Sequence, residues 1–120
     1  RRVVVEVGEL LAGVLDRPAG TPDHWRPCHG DLAPWNLRVA RSGRVWVVDW
    51  EDSRFAPPGA DELYSRLTAQ ITFGRPAVRA ADRECVDWMT AMITARRSPD
   101  EPANSENTRL LAALDGLRRG

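Results

Sequence analysis

The chain has 120 residues and a mass of 13.4 kDa, which suits one domain and excludes a two-lobed enzyme with its own cleft between lobes. Its 42% hydrophobic residues are enough to bury a core, which excludes disorder for most of the length. Basic and acidic residues both number 17, so bulk charge predicts neither a nucleic-acid partner nor an acidic membrane surface. All 17 basic residues are arginines. A reaction that requires a lysine side chain would therefore need that lysine from outside these 120 residues.

Cysteine usage and hydropathy bear on the compartment. Cys28 and Cys85 are too few for a disulfide framework and are not spaced as a metal pair, which predicts a reducing, cytoplasmic setting. Glu6 and Glu9 interrupt the apolar run near the start, which argues against a secretion signal. No stretch approaches the ~20 apolar residues that a membrane helix needs. The absence of an initiator Met leads us to expect an excerpt of a longer protein.

The first half of the chain predicts one helix and one β-hairpin. Apolar residues at helical spacing indicate a helix over residues 2–16. After a loop rich in Pro and Asp, residues 37–39 and 45–48 form two short β runs, and the connection between them contains Gly43. Trp35 and Trp46 are expected to pack around this hairpin.

Three helices are predicted in the second half. One begins at Asp61 and ends near Gly74, the next starts around Pro76, and a short final helix has Ser105 as its cap. In the middle helix, core residues are expected at helical spacing, namely Trp88, Met89 and Met92. The sequence therefore predicts an α+β fold that is mainly helical, with a short hairpin.

Polar residues at the two ends of the hairpin carry the candidate chemistry. Asn36 precedes the first strand and Asp49 follows the second, so the antiparallel pairing makes them neighbours. A carboxamide oxygen and a carboxylate suit Mg²⁺, which completes its shell with water and phosphate oxygens. Asp31 adds a second carboxylate near the same point, where it can act as a base.

At these residues the sequence resembles the aminoglycoside phosphotransferase family of the protein-kinase-like superfamily. The segments that carry the resemblance are His29-Gly30-Asp31-Leu32-Ala33-Pro34-Trp35-Asn36, then Val47-Val48-Asp49-Trp50-Glu51, then Pro57-Pro58-Gly59-Ala60-Asp61-Glu62-Leu63. The resemblance implies that residues 29–36 are the counterpart of the kinase catalytic loop. It likewise implies that residues 48–52 form the metal-binding segment.

The resemblance also implies a role for each matching residue. Asp31 would be the catalytic residue that accepts or orients the proton of the attacking hydroxyl. Asn36 and Asp49 would hold Mg²⁺ on the phosphates of ATP or GTP, and Glu51 is given a weaker role near the metal. The structural residues of the loop would be His29 and Asp61. Beyond the metal-bridged phosphates, no nucleotide-binding residue is assigned.

The chain departs from the family pattern upstream of the loop. Family members hold ATP between two lobes, and the upstream lobe supplies a lysine and a loop over the phosphates. With no Lys and no Gly-rich loop before residue 29, residues 1–120 resemble the C-terminal lobe alone, without the N-terminal nucleotide-binding lobe. We expect this lobe to be inactive by itself.

Three functions can be considered for a chain with these residues. The first is ATP-dependent transfer of phosphate to a hydroxyl of a small-molecule acceptor, with this chain as the catalytic lobe. The alternative is a non-catalytic, truncated remnant or binding domain that keeps the fold. A metal-dependent phosphoesterase is disfavoured because such sites usually need several His ligands, and the chain has only His24 and His29.

Overall fold

A computed structural model describes residue 7 and residues 9–120 of the chain. The helix predicted over residues 2–16 therefore lies partly outside the described residues. The described part is helical at residue 7 and over residues 9–12 and turns at Gly13, so the prediction that the helix extends to residue 16 is wrong. Glycine is a poor helix former, which explains the early end. Val7 and Leu11 are buried, whereas Leu10 is exposed.

Four short strands form two separate antiparallel pairs. Strands β2 (Leu37–Val39) and β3 (Val45–Val47) make the predicted hairpin, with Leu37 opposite Val47. Strands β1 (Arg26–Cys28) and β4 (Arg54–Ala56) make a second pair that the sequence did not predict. Each has three residues without a β pattern, and Pro27 cannot donate a hydrogen bond, so neither strand is recognisable locally.

The hairpin tryptophans are more exposed than expected. The Trp46 side chain is 52% exposed, although the guanidinium of Arg44 lies 4.5 Å from its ring centroid and covers one face. Trp35 is 36% exposed. The hairpin therefore stands at the surface.

Helix α1 (Ala60–Phe73) follows the second strand pair closely. It begins after Gly59, whose φ is 90°, and it ends at Gly74, whose φ is 63°. Both are left-handed conformations that glycine adopts without strain, which explains the helix bounds. The predicted end near Gly74 is confirmed.

Helix α2 (Arg83–Arg96) begins later than predicted. The prediction of a start around Pro76 is wrong, because the Asp82 carboxylate caps the helix by accepting hydrogen bonds from the N–H groups of Glu84 and Cys85. Upstream of this cap, the Val78 N–H donates to Gln70 Oε1 at 2.9 Å. That contact fixes the preceding segment in a non-helical path against α1.

Helix α3 (Glu106–Arg119) begins at the predicted cap. The Ser105 hydroxyl accepts a hydrogen bond from the Thr108 N–H at 3.1 Å. The predicted cap is therefore confirmed.

One hydrophobic core joins the three helices to the loop before the hairpin. Met89, Ile93 and Leu114 are buried in it, while Trp88 and Met92 are partly buried against it. The α+β class predicted from the sequence is confirmed, with small antiparallel sheets packed beside three helices. No helix within residue 7 and residues 9–120 has the length and apolarity to span a bilayer.

We predict that Leu114→Ala lowers the free energy of unfolding by about 2–5 kcal/mol, because it leaves a cavity where the side chain is fully buried. Leu117→Ala is the matched control, since Leu117 is only partly buried in the same helix. Urea denaturation followed by circular dichroism measures both. Equal losses for the two variants would contradict the packing of α3 into the shared core.

Candidate catalytic loop and cation site

The hairpin brings the two predicted metal-ligand positions together. The Val48 N–H donates to the Asn36 carbonyl oxygen at 3.0 Å, directly beyond the last paired residues of β2 and β3. Asp49 is the next residue. The predicted proximity of Asn36 and Asp49 therefore follows from strand pairing.

The Asn36 side chain links the candidate metal position to the candidate base. Its Nδ2 donates to the Asp31 carbonyl oxygen at 2.8 Å and to Asp31 Oδ2 at 3.1 Å. Both partners are acceptors, which fixes the orientation of the amide. Asn36 is buried, and these two hydrogen bonds leave its Oδ1 as the acceptor end of the amide.

His29 is held in one tautomer by backbone groups. Its Nε2 contacts the Val48 carbonyl oxygen at 2.8 Å, and its Nδ1 contacts the Asp31 N–H at 3.1 Å. A carbonyl only accepts and an N–H only donates, so Nε2 carries the proton and Nδ1 does not. The ring centroid also lies 4.9 Å from that of Trp50. The buried imidazole thus joins the loop to the segment that bears Asp49.

Asp61, in the first turn of α1, holds the backbone of the loop. Its Oδ2 accepts from the His29 N–H at 2.7 Å and its Oδ1 accepts from the Gly30 N–H at 3.1 Å. Burial raises the pKa of Asp61, while the two hydrogen bonds act in the opposite direction. Asp61 therefore contacts the loop backbone from the first turn of α1.

The same buried environment acts on Cys28, which precedes His29. Burial, and secondarily the charge of Asp61, raises the pKa of the Cys28 thiol to about 12. The thiol is therefore protonated at neutral pH. A nucleophilic role requires the thiolate, so Cys28 is a packing residue.

Gly30 lies where no side chain fits. Its φ is 90°, and a Cβ atom added there would lie 2.2 Å from the Asp52 carbonyl oxygen. The pairing of β1 with β4, which sets Cys28 opposite Arg54, brings the two backbones this close. Glycine is thus required by both conformation and space.

Asp49 is the only non-glycine residue with positive φ in the described part of the chain, at 59°. Asp tolerates this left-handed conformation better than most residues, but it still costs of order 1–2 kcal/mol. Such strain is concentrated at functional positions. The Asp49 side chain is exposed, as is that of Glu51.

The donor set can be compared with the needs of a divalent cation. Within residue 7 and residues 9–120, no group of three His, Cys, Asp or Glu side chains could hold a metal ion. A closed, all-protein site such as those of Zn²⁺ is therefore not formed by these residues. One amide oxygen and one carboxylate match Mg²⁺, which binds few protein ligands and takes its other oxygens from water and phosphate.

A polar cavity of about 270 Å³ opens beside Asp31. Its other walls come from the loop before the hairpin, the three helices and the loop before α3, and they are Trp35, Tyr64, Arg96, Glu101, Glu106 and Asn107. The buried Tyr64 hydroxyl accepts a hydrogen bond from Arg96 Nη2 at 2.9 Å. Burial raises the pKa of Tyr64, so its hydroxyl is protonated at neutral pH.

Sequence reasoning did not identify this cavity. In the sequence, Tyr64 has the spacing of a core residue of α1, and no local motif marks Arg96 or Glu106. These side chains are brought together by helix packing and share no local motif. The one available signal was the chain's single tyrosine on an otherwise apolar helix face.

Substitution of Gly30 tests the close backbone contact. We predict that Gly30→Ala destabilises the fold by about 1–3 kcal/mol more than Gly43→Ala, which is the typical cost of overpacking. Gly43 is a matched control because it has a similar φ of 85° but nothing within 4 Å of an added Cβ. Chemical denaturation of both variants gives the difference. Equal destabilisation would contradict the contact with Asp52.

Comparison with known proteins identifies the family. The model of the phosphotransferase enzyme family matches residues 3–96, which include the loop from His29 to Asn36 and the segment with Asp49. No curated protein and no solved structure matches the chain significantly. The match covers most of the sequence and agrees with the resemblance seen in the motifs. The chain belongs to the phosphotransferase enzyme family.

Proposed function

We propose that the natural protein is an ATP-dependent phosphotransferase that phosphorylates a hydroxyl group of a small molecule. This chain would supply its kinase-like C-terminal lobe, with residues 29–36 as the catalytic loop and residues 48–52 as the metal-binding segment. The observation that carries the proposal is the pair of contacts made by Asn36: its side-chain amide donates to Asp31 Oδ2, and its backbone carbonyl oxygen accepts from the N–H of Val48, the residue before Asp49. One residue thereby connects the candidate base to the segment that bears the candidate cation ligand.

Asp31 is the proposed catalytic base. Its Oδ2 is fixed by the hydrogen bond from Asn36, and Asp31 also faces the polar cavity. A hydroxyl held in that cavity would donate its hydrogen bond to the Asp31 carboxylate and so direct an oxygen lone pair at the phosphate. Phosphoryl transfer depends mainly on such positioning and on charge neutralisation.

Asn36 Oδ1 and Asp49 are the proposed protein ligands of Mg²⁺, which would neutralise charge on the nucleotide phosphates when bound. The exposed position of Asp49 suits a ligand shared with a phosphate. Glu51 is equally exposed and is the weaker candidate. His29 and Asp61 would act indirectly, because they hold the loop backbone that orients Asp31.

Transfer also requires groups that these 120 residues do not contain. The sequence has no lysine to pair with the nucleotide phosphates. We therefore assign that group, and the wall that would select ATP or GTP, to an N-terminal lobe. The same observation favours a second candidate, in which the chain by itself is a non-catalytic remnant or binding domain. We also propose a cytoplasmic location, which the two free, buried cysteines support.

The assignment of Asp31 is tested by Asp31→Asn in the full-length natural protein. We predict a loss of turnover of at least 100-fold, which is typical when a general base is removed. The affinity for Mg–ATP should change little, because the assigned metal ligands remain. Steady-state kinetics with a separate nucleotide-binding assay measures both quantities. Undiminished turnover would refute the base assignment.

The assignment of Asp49 is tested by Asp49→Ala and by the neighbouring Asp52→Asn. We predict that Asp49→Ala raises the Mg²⁺ concentration needed for half-maximal activity at least 10-fold, since one of two protein ligands is lost. Asp52→Asn is the control, because Asp52 Oδ1 lies 4.0 Å from Arg54 Nη2 and because, within segment 48–52, only Asp49 and Glu51 are candidate ligands. Magnesium titrations of turnover give the comparison. An unchanged magnesium dependence in Asp49→Ala would contradict the ligand assignment.

A further inference from the structure

We propose that Arg96 is the positioning residue that holds the far wall of the polar cavity in which the acceptor hydroxyl would lie. This inference rests on the phosphotransferase function proposed above. Arg96 is the last residue of α2 and also lines a second cavity of about 230 Å³ that includes Gly30 and Asp52. Its side chain thus lies between two openings that both reach the catalytic loop.

The guanidinium of Arg96 connects all three helices. Its Nε donates to Asn107 Oδ1 at 2.7 Å, and its Nη2 donates to the Tyr64 hydroxyl at 2.9 Å. The same Nη2 lies 3.7 Å from Glu106 Oε1. Arginine presents these donors in a rigid planar fork, which holds several partners in one geometry. Tyr64 and the first turn of α3 are therefore fixed relative to each other through one side chain.

The charges around the cavity show why this position needs a cation. Burial raises the pKa of Glu106, the charge of Arg96 opposes that effect, and the charge of Asp31 adds to it. Without Arg96, the three carboxylates of Asp31, Glu101 and Glu106 would line the cavity with no cation among them, and the Tyr64 hydroxyl would donate only to Glu106 Oε1, at 3.4 Å. Repulsion among these carboxylates would move the first turn of α3 away from Asp31.

Some residues that line the cavity lie within the segment that matches the family model, and others follow it in the sequence. Asp31, Tyr64 and Arg96 lie within residues 3–96, whereas Glu106 and Asn107 lie beyond them. Arg96 thus connects Tyr64, within the matched residues, to Asn107, which lies beyond them.

The size and polarity of the cavity restrict the acceptor. A volume of about 270 Å³ is slightly smaller than the ~300–1,000 Å³ typical of small-molecule sites, and carboxylate, amide, phenol and guanidinium groups line it. The part of the acceptor that enters is therefore a compact, polar, hydroxyl-bearing unit.

The kinetic test compares Arg96→Gln with Arg97→Gln in the full-length natural protein. Arg97 is a matched control, because its Nε donates to Thr108 Oγ1 of α3 at 3.2 Å but it does not line the cavity. Glucose, glucosamine, ethanolamine and homoserine serve as acceptors with Mg–ATP. We expect Arg96→Gln to raise the acceptor KM at least 10-fold with the KM for Mg–ATP unchanged, and Arg97→Gln to change both less than twofold. Equal acceptor KM values for the two variants would overturn the role of Arg96.

Tyr64→Phe provides a second variant in case Arg96→Gln does not fold. It keeps the buried ring and removes only the hydroxyl that Arg96 contacts. We expect the same selective rise in acceptor KM, of at least threefold. An acceptor KM equal to that of the unmodified protein would count against the proposed wall.

A readout without turnover separates this proposal from the proposed function. Tyr64 is the single tyrosine of the chain, so tyrosine labelled with ¹³C at Cζ gives this chain one resonance, from the cavity wall. We expect at least one of the four compounds to shift this resonance saturably, and Arg96→Gln to abolish the shift. A saturable shift without phosphorylation would support the cavity while refuting the phosphotransferase function. Phosphorylation of a compound that leaves the resonance unmoved would refute the cavity alone, and no shift with any compound would also overturn it.

Discussion

The candidate site depends on a single buried carboxylate. Asp61 accepts hydrogen bonds from the consecutive N–H groups of His29 and Gly30, so it satisfies two backbone donors that the left-handed turn at Gly30 removes from regular structure. An unsatisfied buried N–H group costs about 1–3 kcal/mol, which makes this loop conformation unfavourable without Asp61. The desolvation cost appears in the raised pKa of Asp61. That carboxylate is fixed by the first turn of α1, so the helix start determines the shape of the loop.

Further hydrogen bonds to the backbone position the candidate cation site relative to this loop. His29 spans from the Asp31 N–H to the Val48 carbonyl oxygen, and the Val48 N–H returns to the Asn36 carbonyl oxygen. The loop and the open end of the hairpin are thereby connected by two sets of hydrogen bonds. Asp31 and Asp49 are both attached to this closed frame. Their relative position is consequently a property of backbone hydrogen bonds, and only their side chains remain free to act.

The sequence predicted the elements whose determinants are local. The hairpin, the end of α1 at Gly74 and the cap at Ser105 each depend on a few adjacent residues, and the structure contains all three. The predicted start of α2 was wrong. Pro76 is a good first helical residue, but the hydrogen bond from the Val78 N–H to Gln70 holds this segment in a non-helical path. The β1–β4 pair was missed because its energy comes from pairing across the chain. The loop residues were predictable because they share a motif, but the cavity side chains were not, since Tyr64 and Arg96 meet only after the helices pack.

The two halves of the proposed active site are subject to different physical constraints. On the side of the loop, Gly30 abuts the Asp52 carbonyl oxygen, and Asn36, His29 and Asp61 are buried, so few substitutions are compatible with the geometry. On the side of α3, Leu110 and Leu114 anchor the helix in the shared core, whereas Glu106 lies at its exposed start. The helix can therefore keep its packing while the residues of its first turn change. A fold built this way preserves the position of the proposed reacting groups and leaves the proposed acceptor wall open to variation, which is the separation expected when one chemistry serves different acceptors.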